Sequence, residues 1–220
     1  MREIVLDTET TGLSPGSGHR VVEIGCLELV NHMPTDQVFH TYLDPERPMP
    51  AEAQAIHGLG DDFLSGQPRF AAKADEFMAF IADATLVIHN AEFDLGFLNA
   101  ELAHLDRPAI DNQTIDTVRL ARKKFPGAQA SLDALCRRFN IDNSARTKHG
   151  ALLDAELLAE VYLELVGGRQ PGLSLAAEAK VESTSGERAA RQARIHEPSA
   201  AELAAHESFL EKIEDPIWKR

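Results

Sequence analysis

The sequence predicts an α/β domain. Its core is a mixed sheet, in which three antiparallel strands precede parallel α/β crossovers and helices flank the sheet, and a flexible C-terminal tail follows. Three observations carry this. β-prone runs at 3–10, 21–30 and 37–43 follow one another, the first pair across a loop rich in turn formers and the second across a short polar link. After prolines 45, 48 and 50 the pattern changes to alternating helical and strand-like segments. Beyond Gly168 large apolar residues become sparse and Ala, Glu, Arg, Gln and Ser dominate, as in a linker.

In chain order, Glu3 to Thr10 reads as the first strand and Thr11 to Gly18, rich in turn formers, as a loop. Val21–Val30 and Gln37–Leu43 complete an antiparallel meander, which the prolines end. Helical periodicity covers 69–82 and 92–105, with a buried strand at 85–89 between them. A short strand at 113–116 leads into helices at 117–125 and 131–139, and a long helix at 150–166 stops at Gly167 and Gly168. A final helix is predicted at 199–214, where Ser199 and Glu202 have capping-box spacing and Pro216 ends the run. Its apolar stripe of Leu203, Leu210, Ile213 and Ile217, with Phe209 beside it, is too narrow to form a core alone, so the helix is expected to dock.

The chain has 220 residues, 44% of them hydrophobic and 26% charged, which are proportions of a globular protein. Nothing reads as a membrane span or a secretory signal, and a cytoplasmic location is expected. Cys26 and Cys136 lie in apolar surroundings and fit buried free thiols rather than a disulfide or zinc framework. The net charge of −13 argues against a broad basic surface for nucleic acid. Residues 1–168 hold 14 Lys and Arg against 26 Asp and Glu, whereas 169–220 hold 8 against 9. A main domain of that charge can act on a polyanion only through metal ions and a tight local site.

Four acids need an explanation. Asp7 and Glu9 share one face of the first strand, because side chains there alternate with a period of two. Asp94 lies on the apolar stripe of Phe97, Leu98 and Leu105, and Asp154 is in line with Leu157, Leu158, Val161 and Leu165. Acids on apolar faces are costly unless paired or bound to metal. Singly, each reads as a cap, a salt-bridge partner or a solvated acid. Together they could form a hard-oxygen cage suited to Mg²⁺ or Mn²⁺. His149, just ahead of the last long helix, is placed to exchange a proton near neutral pH.

The runs Asp7 to Gly12, His89 to Asp94 and His149 to Asp154 resemble the three exonuclease motifs of the DEDDh family. Val22 to Gly25, Ser131 to Cys136 and Ile141 to Ser144 extend the likeness to the family of epsilon proofreading subunits of bacterial DNA polymerase III, over residues 1–168. The resemblance implies a ribonuclease-H-like fold and removal of nucleotides one at a time from a 3′ DNA end, single-stranded or frayed, as nucleoside 5′-monophosphates. It implies that Asp7, Glu9, Asp94 and Asp154 hold two Mg²⁺ or Mn²⁺ ions and that His149 takes the proton of the attacking water. Glu52 and His57 match positions that contact the terminal nucleotide, and Thr10, Gly12 and Leu13 line the same pocket, together with Asp7, Glu9 and Asp154. On this basis 1–168 is the exonuclease domain, 169–198 a linker and 199–220 a polymerase-binding tail.

Within the linker, residues 170–175 resemble a sliding-clamp-binding peptide, with Gln170, Leu173 and Leu175 at its key positions. In the tail, Leu203, Phe209, Leu210, Ile213 and Trp218 are the expected contacts, an aromatic anchor being typical of interfaces. The partners implied are the polymerase's catalytic alpha subunit, the beta clamp and a small theta-like subunit. Tethering would offset the adverse charge by raising the local concentration of the enzyme at the primer end. Two other readings stay open from the sequence: an RNA-trimming DEDDh exonuclease, and a subunit that mainly bridges polymerase and clamp.

Overall fold

The computed structural model describes residues 1–144, 146, 148–167 and 198–213. The chain forms two units, Met1–Leu173 and Ser174–Arg220. In the first, β1 (Arg2–Thr10), β2 (Val21–Val30) and β3 (Met33–Tyr42) form the antiparallel meander. Strands β4 (Thr85–Ile88) and β5 (Thr114–Asp116) add in parallel on the other side, so the order is β3-β2-β1-β4-β5. β1 is therefore the central strand, and its Ile4, Val5 and Leu6 are buried on both faces of the sheet.

β3 begins four residues earlier than its β-prone run. Asn31 and His32 both have positive φ, which makes the tight two-residue turn that suits the twist of a hairpin and brings Met33 opposite Val30. β3 is the edge strand, so Pro34 is tolerated within it. Two short helices in the proline-rich stretch, α1 (Ala51–His57) and α2 (Asp61–Leu64), have no counterpart in the predicted elements because seven and four residues show no helical periodicity. The longer helices form where predicted: α3 (Phe70–Ile81), α4 (Ala91–Ala103), α5 (Thr117–Lys124), α6 (Leu132–Phe139) and α7 (Ala151–Val166).

The sheet is covered on both faces. The even residues of β1, Ile4 and Leu6, pack with Ile24, Leu86 and Ile88 against Phe77 of α3 and Phe97 of α4. Val5 packs on the opposite side with Leu27, Leu29 and Val87 against Leu135 of α6 and Leu158 and Val161 of α7. Cys26 and Cys136 are buried free thiols. In the second unit, α8 (Ala200–Leu210) carries the predicted capping box, Ser199 and Glu202 satisfying each other's backbone N–H groups. Among the described residues no helix is long and apolar enough to cross a membrane.

Candidate active site

The four acids converge where β1 and β4 end, from three directions. Asp7 and Glu9 come from the odd face of β1, the face that α7 covers. Asp94 enters from the other layer in the first turn of α4, directly after β4. Asp154 sits in the first turn of α7. Both helical acids are thus at helix N-termini, where the unpaired N–H groups favour negative charge. Glu9, Asp94 and Asp154 are buried and Asp7 is partly so.

This convergence depends on two residues that sequence periodicity did not single out. Gly25 pairs with Asp7 across the sheet, and a Cβ there would lie 2.4 Å from the backbone of Ala151 and Leu152. Only glycine lets the first turn of α7 approach β2 closely enough to bring Asp154 over the strand end. Thr8, on the even face, donates its hydroxyl to Asp94 Oδ1 at 2.7 Å and orients it. A search confined to same-face acids on β1 passes over Thr8.

Bringing carboxylates together without enough positive charge resists their ionisation. Burial, followed by the neighbouring Asp94, Glu9 and Asp154, holds Asp7 well above the usual carboxylate range. Glu9 is pushed up to about 8, by burial first and then by Asp154, Glu23 and Asp94. Asp94 is raised to about 7 by burial, although the Thr8 hydroxyl works against the rise. Among the described residues no side-chain hydrogen bond or ion pair reaches Asp7 or Glu9.

Among the described residues one cation stands in the cluster. Arg146 grips Asp154 with two nitrogens, Nε on Oδ1 at 2.5 Å and Nη2 on Oδ2 at 2.6 Å. Its Nη1 donates to Asp133 Oδ1 at 3.0 Å, and Nη2 also reaches His149 Nδ1 at 2.8 Å. Arg146 too was missed from the sequence. The signal was present, because four acids on apolar faces demand a counter-charge and this arginine precedes His149 by three residues. His149 is half exposed, with Nδ1 3.4 Å from Asp154 Oδ2. Ligand atoms of Glu9, His149 and Asp154 lie within 4.8 Å of one another. Crowded hard oxygen donors short of counter-charge are what a divalent cation satisfies once they are deprotonated, so the residues present fit one.

A cavity of about 700 Å³ opens over the acids. Every residue predicted for the nucleotide pocket borders it: Thr10, Gly12, Leu13, Glu52 and His57, together with Asp7, Glu9 and Asp154. Leu13 is 85% exposed, an apolar side chain held out over the opening. Thr10 donates its hydroxyl to the Gly12 carbonyl at 2.6 Å and so shapes the loop. Glu52 is exposed in the first turn of α1, while His57 is buried at its end and accepts a hydrogen bond from the Leu59 N–H through Nδ1. Burial holds the His57 imidazole below its ordinary range. His89, also on the cavity wall, meets the Thr117 hydroxyl at 2.9 Å.

On α8, Leu203 and Phe209 are exposed and Leu210 is buried, with Ile213 half-buried just beyond the helix. Gln170, Leu173, Leu175 and Trp218 lie outside the described residues.

A family model described as "Exonuclease" matches residues 4–162. The DNA polymerase III subunit epsilon of Rickettsia prowazekii is 49% identical over 97% of this chain and 97% of its own. That of Escherichia coli K12 is 47% identical over 97% of this chain and 93% of its own. Among solved structures, the nuclease domain of 3′hExo, a DEDDh family member bound to rAMP, superposes with a TM-score of 0.66 at 17% identity, covering 75% of this chain and 91% of that one. Exonuclease X in complex with 5′ overhanging duplex DNA gives 0.58 at 24% identity, covering 74% and 90%. These two likenesses concern the fold alone, a ribonuclease-H-like mixed sheet flanked by helices. On a family model spanning most of its length and relatives nearly half identical to it, this chain belongs to the exonuclease family and, within it, to the epsilon subunits of DNA polymerase III.

Proposed function

We propose that this chain is the proofreading 3′–5′ exonuclease of a bacterial DNA polymerase III, working in the cytoplasm. The observation that carries the chemistry is the meeting of Asp7, Glu9, Asp94 and Asp154 at the end of β1, beneath a cavity with His149 on its wall. Asp7, Glu9, Asp94 and Asp154 would hold two Mg²⁺ or Mn²⁺ ions. Such ions supply Lewis-acid stabilisation of the charge that develops on the attacking and leaving oxygens.

The residues of the chain do the rest. Leu13 lies against the terminal base, Thr10 and Gly12 hold the loop that presents it, and Glu52 and His57 contact the terminal nucleotide from α1. His149, whose Nδ1 is turned toward Asp154, accepts a proton from the attacking water. The new oxygen–phosphorus bond forms as the bond to the preceding 3′ oxygen breaks. A nucleoside 5′-monophosphate leaves, and the shortened strand ends in a 3′ hydroxyl.

Residues 1–168 are the catalytic domain in this reading. Residues 169–198 are a linker whose Gln170, Leu173 and Leu175 bind the beta clamp. Residues 199–220 bind the alpha subunit through Leu203, Phe209, Leu210, Ile213 and Trp218, and a theta-like subunit is a further partner. The exposed Leu203 and Phe209 of α8 support the docking role, since large apolar side chains open to water are candidates for an interface.

The test is digestion of 3′-labelled single-stranded DNA and matched RNA, with Mg²⁺ or chelator, by wild type, Asp154→Ala and His149→Ala. The expected result is metal-dependent release of mononucleotides, faster from DNA. Turnover is nearly abolished in both variants, while calorimetry shows metal binding lost in Asp154→Ala and kept in His149→Ala. Faster trimming of RNA would replace proofreading with RNA processing, and inactivity on both would leave the bridging role.

A further inference from the structure

The guanidinium of Arg146 occupies the ligating and proton-accepting atoms that the proposed reaction needs. Both oxygens of Asp154 are engaged by it, at 2.5 and 2.6 Å. Its Nη2 N–H also points at His149 Nδ1 at 2.8 Å, and a lone pair that accepts this hydrogen bond cannot take a proton from water. Arg146 is 9% exposed and Asp154 4%, so the pair is shielded from solvent. Arg146 is the only lysine or arginine among the described residues that line the cavity. Arginine stays charged at every accessible pH, so this contact ends by displacement and not by titration.

The geometry also supplies a place for the displaced group. The third nitrogen, Nη1, is already 3.0 Å from Asp133 Oδ1. Asn143 Nδ2 donates to the same oxygen at 3.0 Å and fixes the carboxylate. Asp133 is 44% exposed and belongs to α6, outside the acid cluster. Arg146 therefore bridges one buried acid of the cluster and one half-exposed acid beside it.

We propose that Arg146 is a built-in counter-cation that latches Asp154 and His149, competes with divalent cation for Asp154, and is retained by Asp133 when it yields. In this state the acids are partly neutralised and the histidine is blocked. Yielding frees both oxygens and the imidazole in one movement. The latch lowers the apparent metal affinity in proportion to the fraction of molecules in which it is closed. This inference rests on the reading of Asp154 as a cation ligand.

The test is Mn²⁺ binding to the full chain, followed by the electron paramagnetic resonance of free Mn²⁺, with thermal melting in chelator as a second readout. Arg146→Gln is expected to bind Mn²⁺ about tenfold tighter and to melt lower in chelator, since Asp154 loses its partner. Arg146→Lys, which keeps the charge without the two-pronged grip, is expected to fall between it and wild type. Asp133→Asn removes the alternative partner and is expected to weaken Mn²⁺ binding about threefold through the same competition. The double variant is expected to match Arg146→Gln alone, because Asp133 acts only through Arg146. Unchanged or weaker binding in Arg146→Gln, or independent effects of the two substitutions, would overturn the latch. Asp154→Ala tests the underlying reading separately: if it binds Mn²⁺ like wild type, Asp154 is no ligand and the latch has nothing to compete for.

Discussion

Glu3 and the Asp7–Glu9 pair lie on the same face of the same strand and teach opposite lessons about buried acids. Glu3 is fully buried, yet its Oε1 accepts the Tyr162 hydroxyl at 2.6 Å and its Oε2 lies 2.8 Å from His32 Nδ1. Its partners come from the far end of α7 and from the β2–β3 hairpin. Asp7 and Glu9 lie at the other end of β1, beside the first turn of α7, where their neighbours are other acids. The same strand face thus carries one carboxylate to which the fold supplies a buried hydroxyl donor and two whose neighbours are other acids. A buried acid with internal partners is part of the framework, whereas acids packed against acids mark a site whose last component is a ligand.

The largest effect that sharpens this contrast comes from Asp7→Asn. Exonuclease activity is expected to fall at least about a thousandfold, because one of the four oxygen donors loses its charge. The same variant is expected to melt several degrees higher than wild type in chelator, since one mutually repelling carboxylate is gone. A variant that loses activity and also loses stability in chelator would mean that Asp7 has an internal partner after all, and the contrast with Glu3 would break.

Tyr162→Phe probes the other end of β1 and should give the reverse pattern. The Glu3 oxygen is left buried without its donor, a cost of about 1–3 kcal/mol. Chemical denaturation would show this as a lower midpoint with an unchanged slope. Activity per folded molecule is expected to stay within about twofold of wild type, because Tyr162 is two turns of α7 away from Asp154. A large fall in activity at full stability would make Glu3 part of the site.

The sequence announced this site unevenly. Asp7, Glu9, Asp94 and Asp154 were legible because an acid on an apolar stripe or a crowded strand face violates the pattern around it. The same logic accounts for the helices, since α3 to α7 show their period over eight or more residues and α1, with seven, does not. What the sequence hid was closeness between segments distant in the chain. Gly25 reads as a weak point in a strand until Ala151 is seen 2.4 Å from where its Cβ would stand. Arg146 reads as one more surface cation until its guanidinium is found on Asp154. Both are residues whose meaning lies in a neighbour, and periodicity within one segment carries no information about that.

The smallest expected effect is in the pH dependence of the metal-free protein, and its sign follows from the same acids. Glu9 at about 8, Asp94 at about 7 and the raised Asp7 hold protons in the folded state that the unfolded chain has released by about pH 5. The folded state therefore binds more protons across this window, and stability falls as pH rises through it. Two groups oppose the trend in its lower part. Burial depresses His57 and His89, and such imidazoles add stability as pH rises toward about 6.5. Above about pH 6.5 that opposing contribution dies away while the carboxylates go on titrating, and the melting temperature in chelator is expected to drop by pH 8. Glu9→Gln should flatten the drop, because a group raised to about 8 is removed. Mn²⁺ should reverse it, because deprotonated acids are the form that binds a cation. A melting temperature that stays level from pH 6.5 to 8, or falls as steeply in Glu9→Gln, would show that Asp7, Glu9 and Asp94 have partners of their own within the protein, as Glu3 has in Tyr162.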